Sequence, residues 1–244
     1  MSAKQLLIDA GNTRLKWALR EAGDWVAQGH GDYSDWSGLR QILPEAARCH
    51  VASVASASRT GELEALLRQA GVPTVWLRAE ARFGDVVNGY ADPHQLGVDR
   101  WMGLIAARAR TRDAVLVASA GTALTVDALA ADGRFLGGVI VPGLQLMRQA
   151  LRAGTAGVEP AGGRVMPFPI TTADAVESGL VAALSGTILQ QHARLAEATG
   201  QAPRCLLTGG DAGVLAPWLE GTFEIVPALV LEGIARVANE EKSE

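Results

Sequence analysis

Two aspartates stand where the chain could carry out acid–base or metal-dependent chemistry. Asp9 ends an apolar run at residues 6–9 and is followed by Ala-Gly-Asn-Thr, and Asp99 lies in the segment LGVDRW at residues 96–101. A carboxylate beside a glycine turn can hold a hydrated Mg²⁺, because this ion keeps several waters and takes few protein ligands. Aspartate is also a common capping residue of ordinary turns. Both interpretations of Asp9 stay open from the residues alone.

Three glycine turns follow apolar runs and are suited to binding phosphate groups. The first glycine turn (residues 9–16) contains Gly11, the second contains Gly121, and the third contains the pair Gly209-Gly210. Glycine lets backbone N–H groups approach an anion without a Cβ in the way. The chain has neither the GxxxxGK(S/T) pattern of P-loop proteins nor GxGxxG. Three such turns favour two domains that bind one nucleotide between them.

The Asp99-Arg100 pair is suited to phosphoryl transfer, a reaction that needs positioning, charge stabilisation and an acceptor for one proton. Asp99 could act as general base towards a substrate hydroxyl, with Arg100 binding an anionic substrate. Asp99 could equally be an acidic residue favoured by the dipole at a helix N-terminus. Lys16 either contacts phosphates or is a solvated strand residue. Thr171 or Thr172 either caps a helix or faces the substrate.

Composition limits the class of protein. The 244 residues carry a formal net charge of -4, which argues against the basic surface of a nucleic-acid-binding protein. There are two cysteines, Cys49 and Cys205, so we expect neither a disulfide framework nor a thiolate metal site. The sequence shows no signal-peptide pattern and no apolar run of about 18–20 residues. We therefore expect a cytoplasmic protein without nucleic-acid or membrane partners.

Hydrophobic periodicity predicts an α/β fold. Strands are expected at residues 6–9, 14–20, 25–28, 50–54 and 74–77, with three more within 114–143 and another from 205. Helices are expected at 61–71, in the second part of 95–110, and at 144–152, 173–199 and 229–241. The 173–199 helix carries Leu180, Leu184 and Leu189, and is either a dimer interface or core.

An internal repeat indicates a duplicated unit. LLIDAGNT (6–13) and LVASAGTA (116–123) align without a gap, and their glycines Gly11 and Gly121 are 110 residues apart. Each copy is an apolar strand followed by Ala-Gly and a short polar residue. The sequence therefore predicts two α/β domains, at residues 1–112 and 113–244.

Six segments together resemble the type III pantothenate kinases, some of which were named Bvg accessory factor homologues. They are DAGNTRLKW (9–17), LGVDRW (96–101), AGTALTVD (120–127), GGVIVPG (137–143), TTADAVESG (171–179) and LTGGDA (207–212). The resemblance implies two ribonuclease H-like domains of the acetate and sugar kinase/heat-shock chaperone/actin superfamily, with a cleft between them. It also implies ATP-dependent phosphorylation of pantothenate to 4′-phosphopantothenate, the first step of coenzyme A biosynthesis. Such enzymes are homodimers that use Mg²⁺ and a monovalent cation, K⁺ or ammonium.

The resemblance also implies roles for individual residues. The first glycine turn would bind the ATP phosphates, with Asp9 holding Mg²⁺ through water, and Asp99 would be the general base. The implied nucleotide-binding residues are Asp9, Ala10, Gly11, Asn12, Thr13, Arg14, Leu15, Lys16, Thr122, Gly209 and Gly210. The implied pantothenate-binding residues are Tyr90, Gly97, Val98, Asp99, Arg100 and Thr172.

One position departs from the family pattern. Many members have an aspartate at the second glycine turn that is tied to the monovalent cation, and this chain has Ser119 there. A neutral hydroxyl is a weaker ligand for K⁺ than a carboxylate, so a monovalent cation requirement of this chain is in question. Two alternative functions stay open: a small sugar or carboxylate kinase of the same superfamily, and a regulatory accessory protein.

Overall fold

The computed structural model describes residues 3–155, 162–219 and 223–240. The chain divides into two compact units. The first unit comprises the chain up to Ala109 together with the chain from Ala228 onward, and the second unit comprises Arg110–Pro227. The division near residue 110 lies close to the predicted boundary after residue 112. The segment from Ala228 onward differs from the prediction, because it belongs to the first unit rather than to the second.

The first unit is built on a five-stranded sheet. In chain order its elements are β1 (Gln5–Ala10), β2 (Arg14–Glu21), β3 (Asp24–Asp32), α1 (Ser37–Ile42), β4 (Arg48–Ser53), α2 (Ala57–Gln69), β5 (Thr74–Trp76), the hairpin β6 (Arg82–Phe83) and β7 (Val86–Val87), and α3 (Val98–Arg110). Single 3₁₀ turns lie at Leu43–Glu45 and Pro93–Gln95. The strand order is β3-β2-β1-β4-β5, and β2 is antiparallel to its neighbours while β4 and β5 run parallel to β1. This is the ribonuclease H-like arrangement.

The two faces of β1 carry different side chains, because successive residues of a strand point to opposite faces of the sheet. Leu6, Ile8 and Ala10 are fully buried and join a hydrophobic cluster with residues of α1 and α2. Burying a side chain such as Leu6 or Ile8 contributes about 1.5–3 kcal/mol relative to leaving it exposed. Asp9 points to the opposite face, because successive side chains of a strand alternate. The apolar run therefore anchors the strand while its last acid is turned away from this cluster.

The second unit repeats the architecture of the first. In chain order its elements are β8 (Val115–Ala120), β9 (Ala123–Leu129), β10 (Phe135–Pro142), α4 (Leu144–Gly154), α5 (Thr172–Thr199), β11 (Arg204–Thr208), α6 (Ala212–Leu215), a 3₁₀ turn at Ala216–Trp218 and β12 (Phe223–Ile225). Its strand order, β10-β9-β8-β11-β12, corresponds position by position to that of the first sheet. The predicted duplication of a β-rich α/β unit is confirmed.

The last described helix, α7 (Leu229–Glu240), packs on the first sheet and contacts β1, β2 and β4. Gly233 makes this packing possible, since a Cβ there would lie 2.0 Å from the carbonyl oxygen of Met102 in α3. The predicted helix at 229–241 is therefore present as far as Glu240, and Glu241 lies outside the described residues.

Other helix predictions are close to the structure. The helix predicted at 61–71 begins earlier, at Ala57, because the Ser56 side chain accepts a hydrogen bond from the Arg59 N–H and caps it. In α5, Leu180 and Leu184 are buried in the core of the second unit, whereas Leu189 is 38% exposed. Across the described ranges, no helix has the length and apolar character needed to cross a membrane.

Candidate active site

The first glycine turn is a tight hairpin connection between β1 and β2. The Gly11 N–H donates to the Arg14 carbonyl oxygen at 3.1 Å. A Cβ at Gly11 would lie only 3.1 Å from the same oxygen, so this turn favours glycine. Asn12 and Thr13, at the tip, are exposed. The hairpin interpretation and the anion-binding interpretation are thus compatible, since the tip of the hairpin presents short polar residues to solvent.

Asp9 lies beside a cation at the end of β1. It is paired in strand register with Lys16 on β2 and with Ala52 on β4, and directly opposed residues share one face of a sheet. The pKa of Asp9 is raised to about 7, first by burial and then by the negative charge of Asp99, while Lys16 acts to lower it. The fold therefore places Asp9, Lys16 and Asp99 within electrostatic range of one another.

Asp99 lies in the first turn of α3, where the helix dipole favours a carboxylate. Its Oδ1 accepts a hydrogen bond from the Arg100 N–H at 2.8 Å. Burial raises the pKa of Asp99, while the backbone and charge of Arg100 act to lower it. A buried carboxylate that is paired only in part is a stronger base than an exposed one, because its ionised form is less well stabilised.

Arg100 and Tyr90 form a contact on the substrate side of the predicted site. Arg100 is 7% exposed, its Nη1 donates to the Tyr90 hydroxyl at 2.7 Å, and its guanidinium lies 5.6 Å from the Tyr90 ring centroid. Asn88 holds this loop, because its side-chain oxygen accepts from the Tyr90 N–H and its amide donates to the carbonyls of Glu80 and Pro93. Two residues predicted to bind one substrate are thereby brought together.

Some predicted site residues can contribute only backbone atoms to a ligand. Ala10 and Leu15 are buried in the hydrophobic cluster of the first sheet, and Val98 is 7% exposed. Their side chains pack against protein, so the sequence motif at these positions reflects the core of the sheet and helix. The exposed residues of the first turn are Asn12, Thr13 and Arg14.

In the second unit, the second and third glycine turns lie against each other. Gly209 has φ +97°, and a Cβ there would lie 2.1 Å from the Ala120 carbonyl oxygen. The same oxygen accepts a hydrogen bond from the Asp211 N–H at 3.0 Å. Gly209 is thus required by packing, whereas a Cβ at Gly210 would meet no atom within 4 Å. Gly210 and Thr122 are both exposed.

Ser119 is surrounded by hydroxyl groups. It is paired in register with Thr125 on β9 and with Thr208 on β11, so the three side chains occupy one face of the second sheet. These groups supply neutral oxygen atoms. The side chain at position 119 is therefore uncharged, and its two directly paired neighbours are uncharged as well, while the buried Asp127 lies two residues along β9 from Thr125 on the same face.

The start of α5 shows which of the two threonines, Thr171 or Thr172, caps the helix. Thr171 is the N-cap, and its hydroxyl accepts a hydrogen bond from the Asp174 N–H at 3.2 Å. Thr172 is the first helical residue and is exposed. The capping role thus falls to Thr171, and the Thr172 hydroxyl is the one available to a ligand.

Two residues that the sequence did not single out hold the first glycine turn. The Tyr33 hydroxyl donates to the Gly11 carbonyl oxygen at 2.7 Å, and Arg59 Nη1 donates to the Asn12 carbonyl oxygen. The Arg59 guanidinium also lies 4.9 Å from the Tyr33 ring centroid. One local signal was present in the sequence: an arginine in the first turn of a helix, where the dipole disfavours a cation.

The donor set around Asp9 fits Mg²⁺. The ionised carboxylate is disfavoured in the fold by burial and by Asp99, and a divalent cation would offset both effects. A single carboxylate also suits this ion in phosphate-binding proteins, because Mg²⁺ keeps several waters and takes few protein ligands. Asp9 is the residue that would hold the ion.

The fold and the paired glycine turns define a class of protein. The chain is similar to a Campylobacter jejuni protein of the Baf family of transcriptional activators, with a TM-score of 0.65, 20% identity, and coverage of 98% of this chain and 100% of that one. It is also similar to MreB 5 of Spiroplasma citri bound to AMPPNP, with a TM-score of 0.50, 9% identity, and coverage of 100% and 98%. These likenesses concern the fold alone. They confirm the predicted α/β fold of two ribonuclease H-like units.

Sequence comparison identifies the family within this class. A family model for type III pantothenate kinases matches residues 5–194. A Thiobacillus denitrificans protein named type III pantothenate kinase is 56% identical over 238 residues, which cover 98% of each chain. The chain belongs to the type III pantothenate kinase family.

Proposed function

We propose that this protein transfers the γ-phosphate of ATP to the primary hydroxyl of pantothenate, giving 4′-phosphopantothenate and ADP. The observation that carries the proposal is the approach of Asp99 to Asp9 within one unit of a chain of this family. One carboxylate would serve the nucleotide and the other the acceptor hydroxyl. A phosphoryl transfer between an alcohol and ATP needs these two functions close together.

Asp99 acts as the general base. The pantothenate hydroxyl gives its proton to the Asp99 carboxylate as its oxygen forms a bond to the γ-phosphorus, and the bond from that phosphorus to the β-phosphate oxygen breaks. The pKa of Asp99 is raised by burial, which brings it closer to the pH at which the enzyme works and makes the carboxylate a more effective base.

The cations around the two aspartates bind the anionic groups. Lys16 shares a face of the sheet with Asp9 and would contact the transferred phosphate, as lysine does in other phosphoryl-transfer sites. Arg100, held by Tyr90, would bind the carboxylate of pantothenate and so place its hydroxyl at Asp99. Mg²⁺ at Asp9 would neutralise phosphate charge. In the second unit, Thr122 and Gly210 would contact the nucleotide, and Thr172 would contact the substrate.

The monovalent cation requirement is proposed to be weak or absent in this chain. The proposal follows from Ser119 and its hydroxyl neighbours, because neutral oxygens bind K⁺ or ammonium less strongly than a carboxylate does. We also propose that the protein is a homodimer, as the family resemblance implies, and sedimentation equilibrium across a tenfold range of concentration would test this.

An ADP-release assay tests the proposed function directly. Pantothenate, acetate and hexoses are each offered as acceptor with Mg-ATP, in buffers containing K⁺, ammonium or Na⁺. We expect release that depends on pantothenate and differs little among the three cations. Release with a hexose or acetate instead would favour the small sugar or carboxylate kinase. No release with any acceptor would favour a regulatory protein.

A further inference from the structure

We propose that Tyr33 and Arg59 are positioning residues that hold the first glycine turn in the conformation that binds nucleotide phosphates. The inference rests on the proposed function, because it takes this turn as part of the ATP site. Neither residue belongs to the turn itself. Tyr33 follows β3, and Arg59 lies in the first turn of α2, so the two connect the hairpin to two other elements of the unit.

Three consecutive carbonyl oxygens of the turn accept hydrogen bonds from outside it. The Ala10 oxygen accepts from the Val54 N–H at 3.0 Å, the Gly11 oxygen accepts from the Tyr33 hydroxyl at 2.7 Å, and the Asn12 oxygen accepts from Arg59 Nη1. Two of the three donors are side chains. The orientation of these peptide groups is therefore determined by Tyr33 and Arg59 rather than by the turn sequence alone.

The carbonyl contacts also determine where the turn's N–H groups point. A peptide unit is planar and trans, so its N–H is directed opposite to its C=O. Holding the Gly11 carbonyl against Tyr33 turns the Asn12 N–H away from it, and holding the Asn12 carbonyl against Arg59 does the same for the Thr13 N–H. In the described part of the chain, the Asn12 N–H donates to no protein acceptor. It is thus available to an anion.

The chemistry of the two side chains suits this role. Burial raises the pKa of Tyr33 to about 12, so its hydroxyl stays a donor at neutral pH. Trp36 packs edge-on against the Tyr33 ring, with centroids 5.6 Å apart and planes at 75°. The planar guanidinium of Arg59 lies 4.9 Å from the Tyr33 ring centroid and at the same time donates to the Asn12 carbonyl oxygen. A lysine would supply the charge without this geometry.

Conservative substitutions of Tyr33 and Arg59 can distinguish a positioning role from a general effect on stability, because they preserve the size or the charge of the side chain. Tyr33→Phe removes only the hydroxyl, and Arg59→Lys keeps the charge but loses the planar donor. Arg68→Lys, on an exposed residue of the same helix, is the matched control. Each variant is measured for its Kd for Mg-AMPPNP and for adenosine, and for its KM for ATP and pantothenate.

We expect Tyr33→Phe and Arg59→Lys each to weaken Mg-AMPPNP binding, and to raise the KM for ATP, by about three- to tenfold, as loss of one hydrogen bond implies. The Kd for adenosine and the KM for pantothenate should stay within about twofold, because adenosine carries no phosphate. Arg68→Lys should resemble the wild type. The selective loss for the phosphorylated ligand is a result that a purely structural role would not produce.

Any of three results would overturn the inference. The first is an equal loss of adenosine and Mg-AMPPNP affinity, and the second is a fall in kcat with both KM values unchanged. The third is wild-type affinity for Mg-AMPPNP in both variants. Direct binding also separates this inference from the proposed function. If the wild type fails to phosphorylate pantothenate but the variants lose Mg-AMPPNP affinity, the proposed function fails and the positioning role stands.

Discussion

Replacing Asp9 with asparagine should make the ligand-free protein more stable while removing its activity. The pKa of Asp9 is raised from its ordinary value of 3.8 to about 7 by burial and by Asp99. Each pKa unit corresponds to about 1.4 kcal/mol, so ionising Asp9 in the fold costs up to about 4 kcal/mol more than in the unfolded chain. Asparagine has a similar shape and carries no charge.

The free-energy cost that Asp9 imposes on the folded chain increases as the pH rises. Because the pKa of Asp9 is higher in the folded chain than in the unfolded chain, the folded state binds the proton more tightly between pH 4 and 7. The wild type therefore loses free energy of unfolding as the pH rises through this range, and the full loss is present above about pH 7. Asp9→Asn should gain up to about 4 kcal/mol at pH 8 but only up to about 2 kcal/mol at pH 5.

Urea unfolding without Mg²⁺ or nucleotide measures the difference at both pH values. Asp132→Asn is the control with the opposite sign, because Arg134 hydrogen bonds lower the pKa of the exposed Asp132 carboxylate. That variant should be less stable than the wild type by the same amount at pH 5 and pH 8, because the Asp132 carboxyl is ionised in both the folded and the unfolded chain above about pH 5. The reasoning is refuted if Asp9→Asn shows the same gain at pH 5 and pH 8, or a loss of stability at pH 8.

Three further substitutions, together with one matched control, test the site and the packing. Asp99→Asn should lower kcat by about 10²–10⁴-fold with Mg-AMPPNP binding retained, and near-normal kcat would remove Asp99 from the general-base role. Ser119→Asp should increase the stimulation of ADP release by K⁺ over Na⁺, and equal rates in both salts would contradict this. Gly233→Ala should lower the free energy of unfolding by about 1–3 kcal/mol, because its methyl would overlap the Met102 carbonyl. Gly61→Ala, in open space on α2, should instead raise it by about 0.5–1 kcal/mol, and the argument fails if the two variants behave alike in urea.

Local patterns predicted most of the secondary structure because the relevant interactions are local. The apolar run ending at Asp9 is followed by a glycine turn, and the structure has β1 and β2 there. The start of α2 was predicted too late, because the cap at Ser56 precedes the amphipathic pattern. That α7 belongs to the first unit could not be predicted, because the apolar face of a helix does not indicate which sheet the helix will cover.

In the candidate site as well, residues with a local sequence signal could be predicted and residues that act through long-range contacts could not. The residue types of Asp9 and Asp99 pointed to chemistry, and their spacing from glycine turns and a helix start allowed a role to be assigned to each. Tyr33 and Arg59 gave no comparable signal, because they contact the first glycine turn from 22 and 47 residues away in sequence. Contacts of this range depend on the sheet order, which a single sequence does not reveal.

The placement of α7 in the first unit has a consequence for synthesis on the ribosome. Residues 110–227 form a unit of their own, and all of them are made before Leu229–Glu240. The second unit can therefore fold first, whereas the first sheet keeps one face of β1 uncovered until α7 emerges. The emergence of α7, rather than of the first sheet, should then set when the first unit of the nascent chain stops exposing apolar surface to chaperones.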